Sequence, residues 1–112
     1  MSSFEWHAKL ASLIISMMEQ RDMNPYVVSY CALRAFEELI DAFTAQEGLH
    51  FHDEYPVQAW QNRVKWMHSK PDLLHEWNGL LELYSLVSVG NDGDKALKMM
   101  AIVRNRLDKI YS

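Results

Sequence analysis

One stretch of the chain, residues 24–48, constrains the fold more than any other. It reads NPYVVSYCALRAFEELIDAFTAQEG. Asn24 can accept a backbone N–H as an N-cap, and Pro25 suits the first helical position, where no N–H is required. Gly48 can adopt the left-handed conformation that ends many helices. The stretch therefore predicts one helix of about 22 residues, a rod of roughly 33 Å.

The side-chain pattern changes along this predicted helix. Its first half, from Tyr26 to Phe36, is apolar almost all round, which is typical of a helix that is covered on several sides. In its second half one face stays apolar, while the opposite face carries polar side chains, namely Glu37, Glu38, Asp41 and Gln46. We therefore predict that this is the central helix of the fold and that it becomes amphipathic toward its C-terminal end.

The other segments predict shorter helices that pack around it. Apolar residues recur at spacings of three and four from about residue 3 to residue 21, after Pro56 as far as Ser69, and again from Pro71 onward. Asp94 is placed to cap a last helix. No segment alternates with period two for long enough to predict a strand. The fold class predicted is all-α, an up-and-down four-helix bundle built from about five helices, with helices three and four sharing one side.

Length and composition bound the remaining possibilities. The 112 residues predict a single helical-bundle domain over residues 1–112. The only cysteine, Cys31, excludes an internal disulfide and a cysteine-based zinc site. We see no signal peptide, and no apolar run approaches the roughly 18 residues of a membrane span, so we expect a cytoplasmic protein that does not contact membranes.

Charge is divided unevenly along the chain. Residues 1–54 carry three basic and nine acidic side chains, whereas residues 55–112 carry eight basic and six acidic ones. The last helix is the only basic element, which is too little to predict binding to duplex DNA. The uneven charge is typical of solvated helix faces, and the alternative is an acidic half that meets a basic half in a self-associating pair.

Residues 30–48, YCALRAFEELIDAFTAQEG, resemble the long helix of HEPN-like domains, in which an aromatic-small-Ala-Leu pattern runs into a helical tail and a glycine. The polar loop that follows and the Pro-punctuated helices as far as Leu86 continue the resemblance, which covers about residues 4–110. It implies a bundle of four to five helices that is often a homodimer. Many HEPN-like domains are RNases of toxin–antitoxin or defence systems or accompany a minimal nucleotidyltransferase, and others have no known catalysis. The partners implied are a second copy, a nucleotidyltransferase-type protein or RNA.

The catalytic signature of that family is an arginine followed, four to six residues later, by a histidine. Arg63 and His68 have this spacing and would supply transition-state stabilisation and acid–base transfer in a metal-independent RNase. On a helix they lie about 140° apart around the axis, and the alternative interpretation is a surface arginine and a histidine at a helix C-terminus. A second partial match begins at Arg104, but Lys109 stands where the histidine should be.

Two further groups of residues are candidates for binding. His50 and His52 precede two acidic residues, and His-x-His with carboxylates can bind zinc or nickel. However, no further ligand is evident in the sequence, so we predict no metal or cofactor, with His50 and His52 as the weak candidates. The four tryptophans cannot all be buried, and exposed aromatic side chains often anchor interfaces. The predicted contact surface comprises Val57, Trp60, Trp66, Trp77 and Tyr84.

Together these features predict a non-enzymatic interaction or ligand- or nucleotide-binding module of HEPN-like type that acts as a homodimer. The alternative is the metal-independent RNase that uses Arg63 and His68.

Overall fold

The computed structural model of the chain describes residues 3–19 and 24–111, and it confirms an all-α helical bundle. Within those residues five α-helices and one 3₁₀ turn follow one another: α1 (Ser3–Glu19), α2 (Pro25–Gln46), the 3₁₀ turn (Phe51–Asp53), α3 (Pro56–Met67), α4 (Pro71–Gly90) and α5 (Gly93–Tyr111). The predicted continuation of helix one to residue 21 lies outside the described residues.

Helix α2 occupies the centre of the bundle and contacts α1, α4 and α5. Its predicted ends are confirmed, because the Asn24 Oδ1 atom accepts the Tyr26 N–H at 2.9 Å and Gly48 has a φ of 77°. The N–H of Leu49 donates to the Thr44 carbonyl at 2.9 Å, which satisfies one of the last free carbonyls of the helix. The central place of α2 in the bundle and both of its ends were therefore predictable from its sequence.

The burial of side chains along α2 differs from what the sequence pattern predicted. Tyr26 and Tyr30 in the apolar first half are exposed, whereas the acidic residues Glu38 and Asp41 in the second half are buried. Buried carboxylates need partners of opposite charge or hydrogen-bond donors. Helices α1 and α3 supply them, and these partners create the polar site described below.

Helix α3 is short and lies at one side of the bundle. Its backbone packs closely on α4 and on the 3₁₀ turn rather than on α2, and its link to α2 is made mainly by the long side chain of Arg63. Because side chains rather than close backbone packing join α2 and α3, a cavity remains between them. Helix α3 ends at Met67, two residues before the predicted end at Ser69.

The connection between α4 and α5 is tighter than the sequence predicted. Asn91 adopts a left-handed conformation with a φ of 51° and ends α4. The carboxylate of Asp92, not that of Asp94, caps α5 by accepting the Lys95 N–H at 3.2 Å. This backbone hydrogen bond lowers the pKa of Asp92 below its ordinary value. No helix in the described part of the chain combines the length and apolarity needed to cross a membrane.

Candidate functional site

A polar cavity of about 310 Å³ lies between α2 and α3. Its walls carry four carboxylates, two guanidinium groups, one imidazole and an indole, contributed by Glu37, Glu38, Asp41, Glu54, Arg34, Arg63, His52 and Trp60. With the histidine neutral, the charged groups leave two net negative charges around the cavity. Such a concentration of ionisable groups, four of them on α2, marks a candidate functional site.

Arg63 and Asp41 form a buried pair on one wall of the cavity. The side chain of Arg63 is 3% exposed and that of Asp41 is 2% exposed. Nε of Arg63 donates to Oδ1 of Asp41 at 2.8 Å, and Nη2 donates to Oδ2 at 2.9 Å. The same guanidinium lies 4.8 Å from the centre of the Trp60 ring. A bidentate pair that is stacked on an indole holds α3 against α2 in one fixed geometry.

Glu38 is shared between α1 and α2 on the adjacent wall. Its Oε2 atom lies 2.6 Å from Nδ1 of the buried His7, and its Oε1 atom accepts a hydrogen bond from Nη2 of Arg34 at 3.0 Å. Arg34 also pairs with Glu37 at 2.8 Å. Burial lowers the pKa of Arg34, but hydrogen bonds and charges of Glu37 and Glu38 outweigh burial and raise that pKa above its ordinary value.

The structure brings a histidine and two carboxylates together in a way that the sequence did not indicate. His7, Glu38 and Asp41 each offer a donor atom, and these atoms lie within 4.8 Å of one another. His52 joins them, since its ring centre is 4.6 Å from that of His7. Of the two predicted candidates, His52 therefore lines the cavity, whereas His50 does not and packs edge-on against His52, with ring centres 5.8 Å apart.

Sequence reasoning missed His7 entirely and undervalued Glu38 and Asp41. Spacings of three and four that join Arg34 to Glu37 and Glu38 were visible in α2 and indicate local ion pairs. Nothing in α1 marks His7 as a partner of Glu38, because the two residues are 31 positions apart.

The predicted catalytic pair is not brought together as a hydrogen-bonded unit. Arg63 is buried and held by Asp41, so the alternative interpretation of Arg63 as a surface residue was wrong. His68 is exposed and ends α3 at its C-cap position, where the sequence placed it. In the described part of the chain Arg63 donates no side-chain hydrogen bond to the His68 imidazole, and whether the two residues act in catalysis stays a prediction.

An apolar groove runs along the outer side of α3. It has a volume of about 670 Å³ and is lined by Pro56, Val57, Trp60, Gln61 and Val64, which we call the α3 groove. Val57 is 73% exposed there. The predicted contact residues Val57 and Trp60 therefore lie on one surface.

Trp60 forms the inner side of the groove and also packs against the core. Its ring stacks on that of Trp77 with centres 4.7 Å apart, and Trp77 stacks on Phe36 at 5.9 Å. Trp77 is 7% exposed, so its placement on the contact surface is corrected: it belongs to the core, because Trp60 and Phe36 cover its two faces. Trp77 also lines a second concavity of about 410 Å³, together with Tyr30, Arg34 and Trp60.

The other two predicted contact residues lie away from the groove lining. Trp66 is half-buried, its indole N–H donates to a carboxylate oxygen of Glu47, and Nζ of Lys70 lies 5.6 Å from its ring centre. Tyr84 on α4 is half-buried against the core. Polar and cationic neighbours therefore already engage Trp66.

Comparison with protein-family models, with curated proteins and with solved structures gave no match to this chain. The resemblance to HEPN-like domains therefore rests on the residues quoted above and stays a prediction.

Proposed function

We propose that the protein is a non-enzymatic interaction module that forms a homodimer through the α3 groove. The observation that carries this proposal is the exposure of Val57 beside an apolar groove whose inner wall is Trp60. An exposed apolar groove of this kind is typical of an interaction surface.

The chemistry of the groove favours a second copy of the same chain as its occupant. Four of its five lining residues are apolar, and only Gln61 offers a polar side chain. In a two-fold symmetric dimer the same patch meets itself, so an uncharged apolar patch faces no repulsion from its copy. Tyr55, 84% exposed immediately before α3, extends the apolar area. The HEPN-like resemblance supports the same choice, because such domains are often homodimers.

Trp60 is suited to anchor such an interface because its position is already fixed. Trp77 supports one side of the Trp60 ring, and the guanidinium of Arg63 lies 4.8 Å from the ring centre. A partner that packs on a side chain held in this way loses little conformational entropy on binding. Aromatic anchors of this kind often carry much of the binding energy at an interface.

Val57→Glu should weaken dimerisation by about tenfold or more, because each subunit would desolvate a carboxylate in an apolar contact. Val89→Glu is the matched control, since Val89 is 89% exposed at the far end of α4 and outside the groove. Sedimentation equilibrium and native mass spectrometry measure the dissociation constants. A wild-type monomer at high micromolar concentration, or equal dimerisation of wild type and Val57→Glu, would contradict the proposal.

The same native spectra test the ligand-binding form of the module. The concavity lined by Tyr30, Trp60 and Trp77 also carries the guanidinium of Arg34, and aromatic rings beside a guanidinium are suited to stacking a nucleobase. A retained mass of nucleotide size would support nucleotide binding there. A bare dimer would support the interaction module alone.

The metal-independent RNase is the second candidate, and one observation favours it: the guanidinium of Arg63 lines the polar cavity beside that of Arg34. Against it, Nε and Nη2 of Arg63 already donate to the carboxylate of Asp41. If the protein is an RNase, it should cleave single-stranded RNA in the presence of a chelator, and His68→Ala should remove that activity. His68 is exposed, so this variant should fold. Folded wild-type protein that leaves RNA intact would exclude this candidate.

A further inference from the structure

The geometry points to a binding site for a divalent metal ion, which we propose to be Zn²⁺. The site is formed by His7, Glu38, Asp41 and His52. The sequence offered His52 with no distant ligands to complete a site. The fold supplies them, since α1 contributes His7 and α2 contributes Glu38 and Asp41. This site lies on the polar cavity, and none of its four residues lines the α3 groove.

The distances between the donor atoms suit a metal after small side-chain movements. Ligands about 2.1 Å from a tetrahedral zinc ion lie roughly 3.4 Å from one another. The donor atoms of His7, Glu38 and Asp41 lie within 4.8 Å of one another, and the His7–Glu38 contact is 2.6 Å. A metal would therefore open the shortest contact by less than an ångström and close the longest by somewhat more. It would occupy the place of the proton between Nδ1 and Oε2.

His52 completes the set from the 3₁₀ turn. Its ring packs edge-on against that of His7, and its side chain lines the same cavity as Glu38 and Asp41. Its Nε2 atom lies 3.3 Å from the exposed carboxylate of Asp53, so the His52 ring would have to turn toward His7 before one of its nitrogens binds the metal. Two imidazoles and two carboxylates form a donor set that zinc accepts readily.

The two arginines beside the site would orient the carboxylates of Glu38 and Asp41 without taking the oxygen lone pairs that a metal needs. Arg34 binds Oε1 of Glu38 and leaves Oε2 for the metal. Arg63 fixes the carboxylate of Asp41 through both oxygens, each of which keeps a second lone pair. Metal-binding carboxylates are commonly hydrogen-bonded in this manner, which fixes their orientation.

Electrostatics also favours a dication. The cavity wall carries the four carboxylates of Glu37, Glu38, Asp41 and Glu54 against two guanidinium groups. The two uncompensated negative charges equal the charge of one divalent cation. Because Glu38 and Asp41 are buried, a bound cation would interact with them more strongly than a solvated one does at a protein surface.

Isothermal titration of metal-free, full-length protein with zinc chloride tests the proposal. We expect one zinc ion per chain in the wild type and an affinity about tenfold or more lower in His52→Ala. His50→Ala is the matched control, because His50 belongs to the same loop but does not line the cavity, and its affinity should stay within about twofold. Both histidines are exposed, so neither variant should disturb the fold.

Cobalt supplies a second readout that does not depend on affinity alone. Co²⁺ bound by four nitrogen and oxygen ligands should give intensified visible bands in the wild type, and His7→Gln should abolish them while circular dichroism verifies its folding. Absence of zinc binding by the folded wild type would overturn the proposal. Equal zinc binding by wild type, His52→Ala and His7→Gln would overturn it too, since the metal would then occupy another site.

Discussion

Arg63→Met should lower the free energy of unfolding by about 3–5 kcal/mol, the cost of breaking a buried ion pair by removing one partner. The substitution leaves the carboxylate of Asp41, which is 2% exposed, without the two hydrogen bonds that it accepts from Arg63. Methionine keeps most of the apolar stem, so the loss reports on the charge pair more than on packing. Denaturant unfolding followed by far-UV circular dichroism measures it.

Two further variants distinguish the loss of the Arg63–Asp41 ion pair from the effect of replacing any charged residue by methionine. Asp41→Leu combined with Arg63→Met removes both charges, and because paired replacement of a buried ion pair by apolar residues is often neutral or stabilising, it should recover more than half of the loss. Lys95→Met removes a cation from the surface pair with Asp92 and should change the free energy by about 0.5 kcal/mol or less. A loss below about 1 kcal/mol in Arg63→Met would show that the pair behaves as a surface ion pair.

Phe36→Ala should lower the free energy of unfolding by about 3–5 kcal/mol, the range for truncating a buried aromatic side chain. Phe36 is fully buried in the centre of α2 and stacks on Trp77, which in turn supports Trp60. The truncation leaves a cavity next to the indole ring of Trp77, so tryptophan fluorescence should change together with stability. Chemical denaturation followed by both probes measures the two effects.

The matched control for this variant is Tyr30→Ala, on the same helix. Tyr30 is 58% exposed, and its truncation should cost about 0.5 kcal/mol or less. Both substitutions exchange an aromatic residue for alanine in the interior of α2, so helix propensity affects them alike. Similar losses in the two variants would mean that Phe36 is not the centre of the core.

Much of the fold was predictable from local signals. The apolar spacings predicted the helices, while Asn24, Pro25 and Gly48 predicted the ends of α2, which the structure confirms. The prediction was wrong where two nearby residues suited the same capping position. Asp92 and Asp94 both suit an N-cap, and only the left-handed turn at Asn91 selects Asp92.

The candidate site was far less predictable. Of its principal residues, sequence analysis singled out His52 as a weak metal candidate and Arg63 as a candidate for catalysis, and placed Trp60 on a contact surface. It assigned Asp41 to a polar helix face, although the structure buries this residue beneath α3. A polar residue in a helix pattern is expected to face solvent unless a partner of opposite charge covers it, and the pattern carries no information about that partner.

The sequence by itself determined the elements of this protein: an all-α chain, the central α2 with its two caps, and an apolar supply sufficient for one core. Only the tertiary structure decided which polar residues are buried and what they contact. The physical reason is distance along the chain. Helix periodicity and capping act over a few residues, whereas the contacts of His7 with Glu38 and of Arg63 with Asp41 join residues 31 and 22 positions apart.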